Sequence, residues 1–286
     1  MRNILYRFMI SIGVVGLTAC TSAPQCNKTP ALTWVSPLKI SQDIDKLASD
    51  EFAGRRTASE GAALARHYLI QRLQQIGLEP WQGDFQHSFS YRQSFKEKMG
   101  INLAGVLRAS TQTDKWRIVL AHYDHLGQQG SRIYHGADDN ASGVAGLLQL
   151  AEHAVSQGSQ VNLLFVATDA EEPGLYGGYA LVDELLTINS IPQAGQIELA
   201  INLDMIGRPG RRASIQIEGT RQFESFNNMR HAMTDSNQLC ISTRQPKSFD
   251  GSVIRVDLLR ASDHYPMHKA GIPWLYFGVP THRDYH

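Results

Sequence analysis

Two aspartates, Asp138 and Asp139, stand side by side in the segment GADDNASG, residues 136–143. Adjacent carboxylates repel, and burying either is unfavourable unless something positive compensates. No arginine fork stands nearby in the sequence, so a metal ion is the alternative. The other acids and imidazoles that could share it close the apolar runs of the chain. His122 and Asp124 end WRIVLAHYD (116–124). Asp169, Glu171 and Glu172 end or follow NLLFVATDA (162–170). Asp204 lies in NLDMIG, and His282, Asp284 and His286 lie in the final GVPTHRDYH. Any one of these residues alone reads as an ordinary capped or solvated loop residue; their joint occurrence carries the argument. Two divalent ions sharing a carboxylate need about five protein ligands, and zinc accepts mixed carboxylate and imidazole donors at about 2.0–2.2 Å. A shared carboxylate accounts for the aspartate pair: one binds both ions and its neighbour supports the loop.

The elements that would position these residues are legible in the apolar pattern. Residues 116–124, 162–170, 198–206 and 272–279 are continuously apolar, which suits strands covered on both faces. Residues 140–156 and 174–187 carry helical patterns between them. Strand–helix alternation predicts an α/β fold with a mixed, mainly parallel central sheet and helices on both faces. Ligands in such sheets bind beyond the carboxyl ends of the strands, where the acids and imidazoles fall. INLAGVLRA (101–109) and ASIQIEGT (213–220) read as further strands, and residues 222–235 as a helix. Residues 41–55 read as a short helix ending near Gly54. The Thr57–Glu60 spacing is that of a capping box, and Leu64, Tyr68, Leu69, Leu73 and Ile76 share a face of a helix over 58–76 that stops at Gly77.

The 286 residues suffice for one large domain or two small ones. Charge is balanced, with 27 basic and 27 acidic residues, so nothing favours nucleic acid as a partner. The first residues, MRNILYRFMISIGVVGLTAC, carry Arg2 and Arg7, an apolar run and small residues before Cys20. This is a signal-peptide layout (1–19), and LTAC resembles a bacterial lipobox, implying lipid on Cys20. Residues 20–38 then read as a lipidated tether holding the protein to the cell envelope, facing the periplasm and with the outer membrane expected. Three cysteines make no disulfide framework: Cys26 lies in the tether, and Cys240 reads as a small buried residue.

AHYDHLG, GADDNASG, ATDAEEPGLYGG, INLDMIGR and the closing DYH together resemble the co-catalytic zinc aminopeptidases of metallopeptidase family twenty-eight. The resemblance runs from about Ile40, through ISQDIDKLASDEFAGRR, to the last residue. It implies a zinc peptidase domain over 39–286 that lacks its C-terminal end, two zinc ions and peptide substrates. His122 and Asp204 correspond to ligands of one zinc, Glu172 and His286 to ligands of the other, and Asp139 to the bridge. The peptide bond after Asp139 is expected to be cis. Glu171 corresponds to the general base, and Asp124 to a group that accepts a hydrogen bond from His122 and fixes its tautomer. Asp138 has no ligand role. Some members place an oxyanion-stabilising tyrosine where this chain has Leu259, leaving zinc, His264 or Tyr265 for that task. His264 is also the alternative to His286 as a ligand.

Other functions stay open at this level. A glutaminyl-cyclase-like reaction on the same scaffold would use one zinc. A carboxypeptidase-like member would need arginines for the substrate carboxylate, and Arg208, Arg211, Arg212 and Arg260 are available. A non-catalytic scaffold would have lost ligands, and here all five match. The preferred side chain and the oligomeric state are not readable.

Overall fold

The computed structural model of the protein describes residues 33–187, 190–208, 214–219, 240–243 and 257–279; of Ser214 and Cys240 it describes the backbone only. The first helix, α1 (Pro37–Leu47), begins earlier than the sequence reading placed it. Ser36 accepts a hydrogen bond from the Lys39 amide and Pro37 occupies the first turn, where its missing N–H costs nothing. The helix stops at Leu47, and Asp50–Phe52 form a separate 3₁₀ turn. Trp34 stacks on His153 with ring centroids 4.3 Å apart. Among the described residues, packing therefore already involves the last residues assigned to the tether.

The second helix, α2 (Glu60–Ile76), is capped by Ser59, whose Oγ accepts from the Ala62 amide, and ends at Gly77 with φ +91°. The expected Thr57–Glu60 capping box does not form, because the Thr57 hydroxyl donates to Asp169 at 2.8 Å instead. Leu64 was expected on the packed face and is 36% exposed; the buried positions are Ala62, Ala65, Leu69, Leu73 and Ile76, a small-residue face that lets the helix lie close to the sheet. Next come β1 (Glu79–Pro80), β2 (Gln86–Gln93) and β3 (Lys96–Leu107). The β2–β3 hairpin is absent from the sequence reading. Its two-residue turn, Ser94–Phe95, has φ of 49° and 66°, and Phe95 is 94% exposed.

The remaining elements are β4 (Trp116–His122), a small ribbon of β5 (Gly127–Gln129) and β6 (Arg132–Tyr134), α3 (Gly143–Gln157), β7 (Asn162–Thr168), α4 (Tyr176–Leu185), β8 (Ile197–Asp204), β9 (Ser214–Glu218), β10 (Cys240–Ser242), α5 (His264–Lys269) and β11 (Trp274–Gly278). The helix expected over 222–235 lies outside the described residues.

Nine strands form one sheet, in the order β1–β3–β7–β4–β8–β11–β9–β10 with β2 beside β3. The four continuously apolar runs are its centre, and β7, β4, β8 and β11 are mutually parallel. The flanks mix directions: β3 pairs antiparallel with β7, and β9 antiparallel with β11. Both faces are covered, as the continuous apolarity requires. Val119 and Ala121 of β4 meet Leu69 of α2 and Leu147 of α3 on one face. Ile118 and Leu120 meet Leu181 of α4 and Met267 of α5 on the other. Each fully buried leucine, isoleucine or methionine among these contributes roughly 1.5–3 kcal/mol of transfer free energy, and Ala121 less. Because the central strands run the same way, their carboxyl ends share one edge. His122 there stands level with Thr168, the last residue of β7.

Candidate metal centre

At this edge three loops meet. His122 ends β4, Asp204 ends β8, and Glu171 and Glu172 follow β7. Asp139 arrives from the loop between β6 and α3. That loop is fixed on all sides. Asn140 donates to Leu203 O at 2.9 Å and accepts from the Gly143 and Met205 amides at 3.0 Å each. Asp138 Oδ1 accepts from the Gly207 amide at 3.0 Å, so the first aspartate of the pair ties the loop to the residues after β8. Gly136 has φ +58°, and a Cβ there would sit 2.2 Å from Asp139 O, so the tight entry needs glycine. The Asp139–Asn140 peptide bond is cis, as the resemblance implied.

His122 is 1% exposed, and its Nε2 lies 3.3 Å from Asp139 Oδ1 and 3.4 Å from Asp204 Oδ1. Two ligand atoms about 2.0–2.1 Å from one tetrahedral ion lie about 3.3 Å apart. The spacing of this trio is therefore that of co-ligands. Asp204 Oδ1 is buried with no hydrogen-bond donor among the described residues, which is costly without a cation. The donor set thus fits a zinc ion. Burial alone would lower the pKa of His122; the carboxylates of Glu171, Asp124, Asp139 and Asp204 outweigh it and raise the imidazole well above its ordinary value.

A second trio is made by Asp139, Glu172 and His125. Asp139 has one oxygen in each group: Oδ1 faces His122, and Oδ2 lies 3.8 Å from His125 Nδ1. His125 was not singled out from the sequence, although it stands in the quoted AHYDHLG. Its Nδ1 is 2.6 Å from Glu172 Oε1, a hydrogen-bond distance well short of co-ligand spacing. It therefore orients Glu172 rather than sharing an ion with it. His286 lies outside the described residues.

Asp124 is used differently from the sequence reading. The His122 Nδ1 partner is the Asp124 backbone carbonyl, at 3.2 Å, while the carboxylate is 3.7 Å away. The carboxylate instead accepts from the amides of Glu171 at 3.0 Å and Glu172 at 3.3 Å, holding that loop in place. Glu171 belongs to neither trio. Burial pushes its carboxyl well above the ordinary value; His122 opposes this, and Asp204, Asp263 and Asp124 add to it. Behind the loop, Asp169 accepts from Thr57 Oγ1 at 2.8 Å, Tyr123 Oη at 2.9 Å and the Ile101 amide at 3.0 Å.

The alternative residues are occupied elsewhere. His264 is fully buried; its Nε2 donates to Leu258 O at 2.8 Å and its Nδ1 accepts from Asn202 at 3.3 Å, so neither nitrogen is left for a metal. Leu259 packs against the apolar cluster under α4, and the Tyr265 hydroxyl accepts from Arg260 at 3.3 Å. Arg260 pairs with Asp257 at 2.8 Å on the surface, and Arg211 and Arg212 lie outside the described residues. Cys20 and Cys26 do too, as does the side chain of Cys240.

Burial lowers His264 to about 4. The unfolded chain, with an ordinary histidine near 6.5, takes up this proton first as pH falls. The stabilising contribution is complete above pH 6.5 and declines until about pH 4, by about 3 kcal/mol in total. Asp169 and Asp263, each held near 6 chiefly by burial, work in the opposite sense as pH falls through that range. Urea melts of zinc-free wild type and His264→Gln at pH 7 and pH 4 separate the terms. The wild type is expected to lose about 3 kcal/mol more than the variant; equal losses would show that His264 does not stay neutral in the fold.

Comparison with known proteins agrees with this geometry. Residues 102–286 match the family described as Peptidase family M28. Aminopeptidase YwaD of Bacillus subtilis is 31% identical over 154 residues, covering 54% of this chain and 30% of that protein. Among solved structures, BSAP, a zinc aminopeptidase from Bacillus subtilis, superposes with a TM-score of 0.51 at 25% identity, covering 67% of this chain and 45% of that one. Macrostomum lignano glutaminyl cyclase shares the fold, with a TM-score of 0.69 at 18% identity over 89% of this chain and 81% of that one. The chain spans about half the length, or less, of the first curated relatives it matches.

Proposed function

The chain belongs to Peptidase family M28, and from that premise we propose that it is a zinc-dependent aminopeptidase removing N-terminal residues from peptides outside the cytoplasm. The observation that carries the reading is Asp139, which belongs both to the group with His122 and Asp204 and to the group with Glu172. His122, Asp139 and Asp204 would hold one zinc; Asp139 and Glu172 would hold the second, with His286 as the further ligand the family resemblance implies. Bound zinc supplies Lewis-acid polarisation and brings the pKa of water toward neutrality. The Glu171 carboxylate takes a proton from the attacking water and returns it to the departing amine nitrogen. Asp124 keeps Glu171 and Glu172 in register through their amides, and His125 orients Glu172. A glutaminyl-cyclase-like activity is the second reading, favoured by the shared fold.

We also propose that lipid on Cys20 anchors the protein to the envelope, with the active site facing the periplasm. The signal layout and the LTAC sequence support this.

One set of preparations tests these readings. Elemental analysis should return two zinc ions per chain. Aminoacyl-p-nitroanilides should be hydrolysed, and a chelator should abolish the activity. A single tight zinc with cyclisation of an N-terminal glutamine peptide would favour the cyclase instead. Cells fed radioactive palmitate should label the wild type and not Cys20→Ala; an unlabelled wild type removes the anchor.

A further inference from the structure

Arg55 is the largest charged side chain buried completely in the described protein, at 0% exposure. Among the described residues, no carboxylate is its hydrogen-bond partner. Its donors go to backbone carbonyls of three separate segments. Nε donates to Tyr123 O at 2.8 Å, between His122 and Asp124. Nη1 donates to His135 O at 2.7 Å and to Leu47 O at the end of α1. Nη2 donates to Gly136 O at 2.9 Å, at the entry to the Asp139 loop. The Arg55 carbonyl in turn accepts from the His125 amide at 3.4 Å. One planar guanidinium thus bridges the end of β4 and the loop that carries Asp139.

Burial lowers Arg55 to about 10, opposed by the charges of Asp139, Asp124 and Glu172, so the group stays positive at neutral pH. A desolvated cation and a nearby cluster of carboxylates stabilise one another, although they do not touch. In a site of this composition the carboxylates repel when no metal is present, and the loops bearing them would separate. A fixed cation behind the loops opposes that repulsion, and its fork geometry sets their spacing.

We propose that Arg55 is a positioning residue that assembles the two ligand-bearing loops before any metal arrives, so that zinc meets a formed site. The inference rests on the di-zinc reading above. It gives the N-terminal segment a role in the centre: the residue is 81 positions from Gly136 in sequence and binds no substrate or metal itself.

The test compares Arg55→Met with Arg72→Met in zinc competition against a chromogenic chelator, with zinc as the only ligand. Arg72 is a partly buried arginine paired with Asp43 and Glu152, and it serves as a control for general destabilisation. Arg55→Met is expected to bind zinc about 10–100-fold more weakly, the range found when groups supporting a metal ligand are removed. Arg72→Met is expected to lower Tm with wild-type zinc affinity. Wild-type affinity in Arg55→Met, or equal losses in both variants at equal Tm, overturns the proposal. Should Arg55→Met not fold, amide exchange in the wild type decides. Slow exchange over residues 123–125 and 135–141 in zinc-free protein supports pre-assembly; fast exchange that becomes slow only on adding zinc overturns it. Wild-type protein that binds no zinc fails the di-zinc reading, a result distinguishable from the failure of Arg55 alone.

Discussion

Glu171→Gln is expected to keep its zinc and its substrate affinity while kcat falls by roughly 10²–10⁴, the usual consequence of losing a general acid–base group. The substitution preserves size and hydrogen bonding but removes the proton acceptor. Glu171 lies in neither donor trio, so its amide form disturbs no ligand. Its backbone is held by Asp124, and that contact survives the change. Glu172→Gln is the necessary companion. It replaces an anionic donor with a weak neutral one and alters the acceptor that faces His125 at 2.6 Å. It should lose zinc from one position, and added zinc should partly restore activity. Metal content and kcat must be read on the same preparations. Metal loss from Glu171→Gln but not from Glu172→Gln would reverse the two roles. Unchanged hydrolysis in both would exclude the mechanism.

Asp139→Ala is expected to empty both zinc positions and reduce hydrolysis to background, whereas His122→Ala should weaken chiefly one. The difference follows from where the oxygens point. Oδ1 of Asp139 lies 3.3 Å from His122 Nε2 in the group with Asp204, and the same carboxylate belongs to the group with Glu172. Removing the shared carboxylate withdraws a donor from each group at once and leaves the remaining carboxylates less well compensated. Removing the imidazole touches one group only. Equilibrium dialysis followed by elemental analysis reads the outcome directly, as zinc per chain at a series of free zinc concentrations. Parallel loss curves for the two variants would show that Asp139 does not bridge.

The centre of the sheet was legible in the sequence because its strands are buried on both faces. A run such as Leu163–Val166 has no polar side to confuse the assignment, and all four continuous runs became neighbours. The β2–β3 hairpin was not legible. Gln86–Gln93 alternates, but its turn is Ser94–Phe95 where such turns favour Asn-Gly, so the usual signal is missing. The misplaced cap has a similar cause. Thr57 and Ser59 are both acceptable caps by residue type, serine being preferred, and the contact of Thr57 with Asp169 leaves Ser59 to cap the helix.

Within the candidate centre, acids and imidazoles at strand ends form a recognisable set, but singling out His122, Asp139, Glu172 and Asp204 from it rests on the family resemblance; the structure brings these four to one edge of the sheet. Arg55 was missed for a different reason. In sequence it is remote from Asp138 and Asp139; the guanidinium arrives from a turn 81 residues before Gly136, at the entry to their loop. His125 was visible beside Asp124, but only the 2.6 Å contact with Glu172 assigns it a task.

The match to the peptidase family begins at Asn102, which is the middle of β3 rather than a loop. Residues on both sides of that point belong to one strand. Asn102 itself donates to Gly177 O at 2.9 Å and accepts from the Asp169 amide at 3.0 Å. A chimera joined there would splice two half-strands of different parentage and part Ile101, whose amide donates to Asp169, from Asn102. It would also import a foreign guanidinium, or none, behind the Asp139 loop. The smallest portable module is therefore wider than the matched region: for exchange between relatives, the segment from Trp34 to Ile101 travels with the catalytic half as a single inheritance.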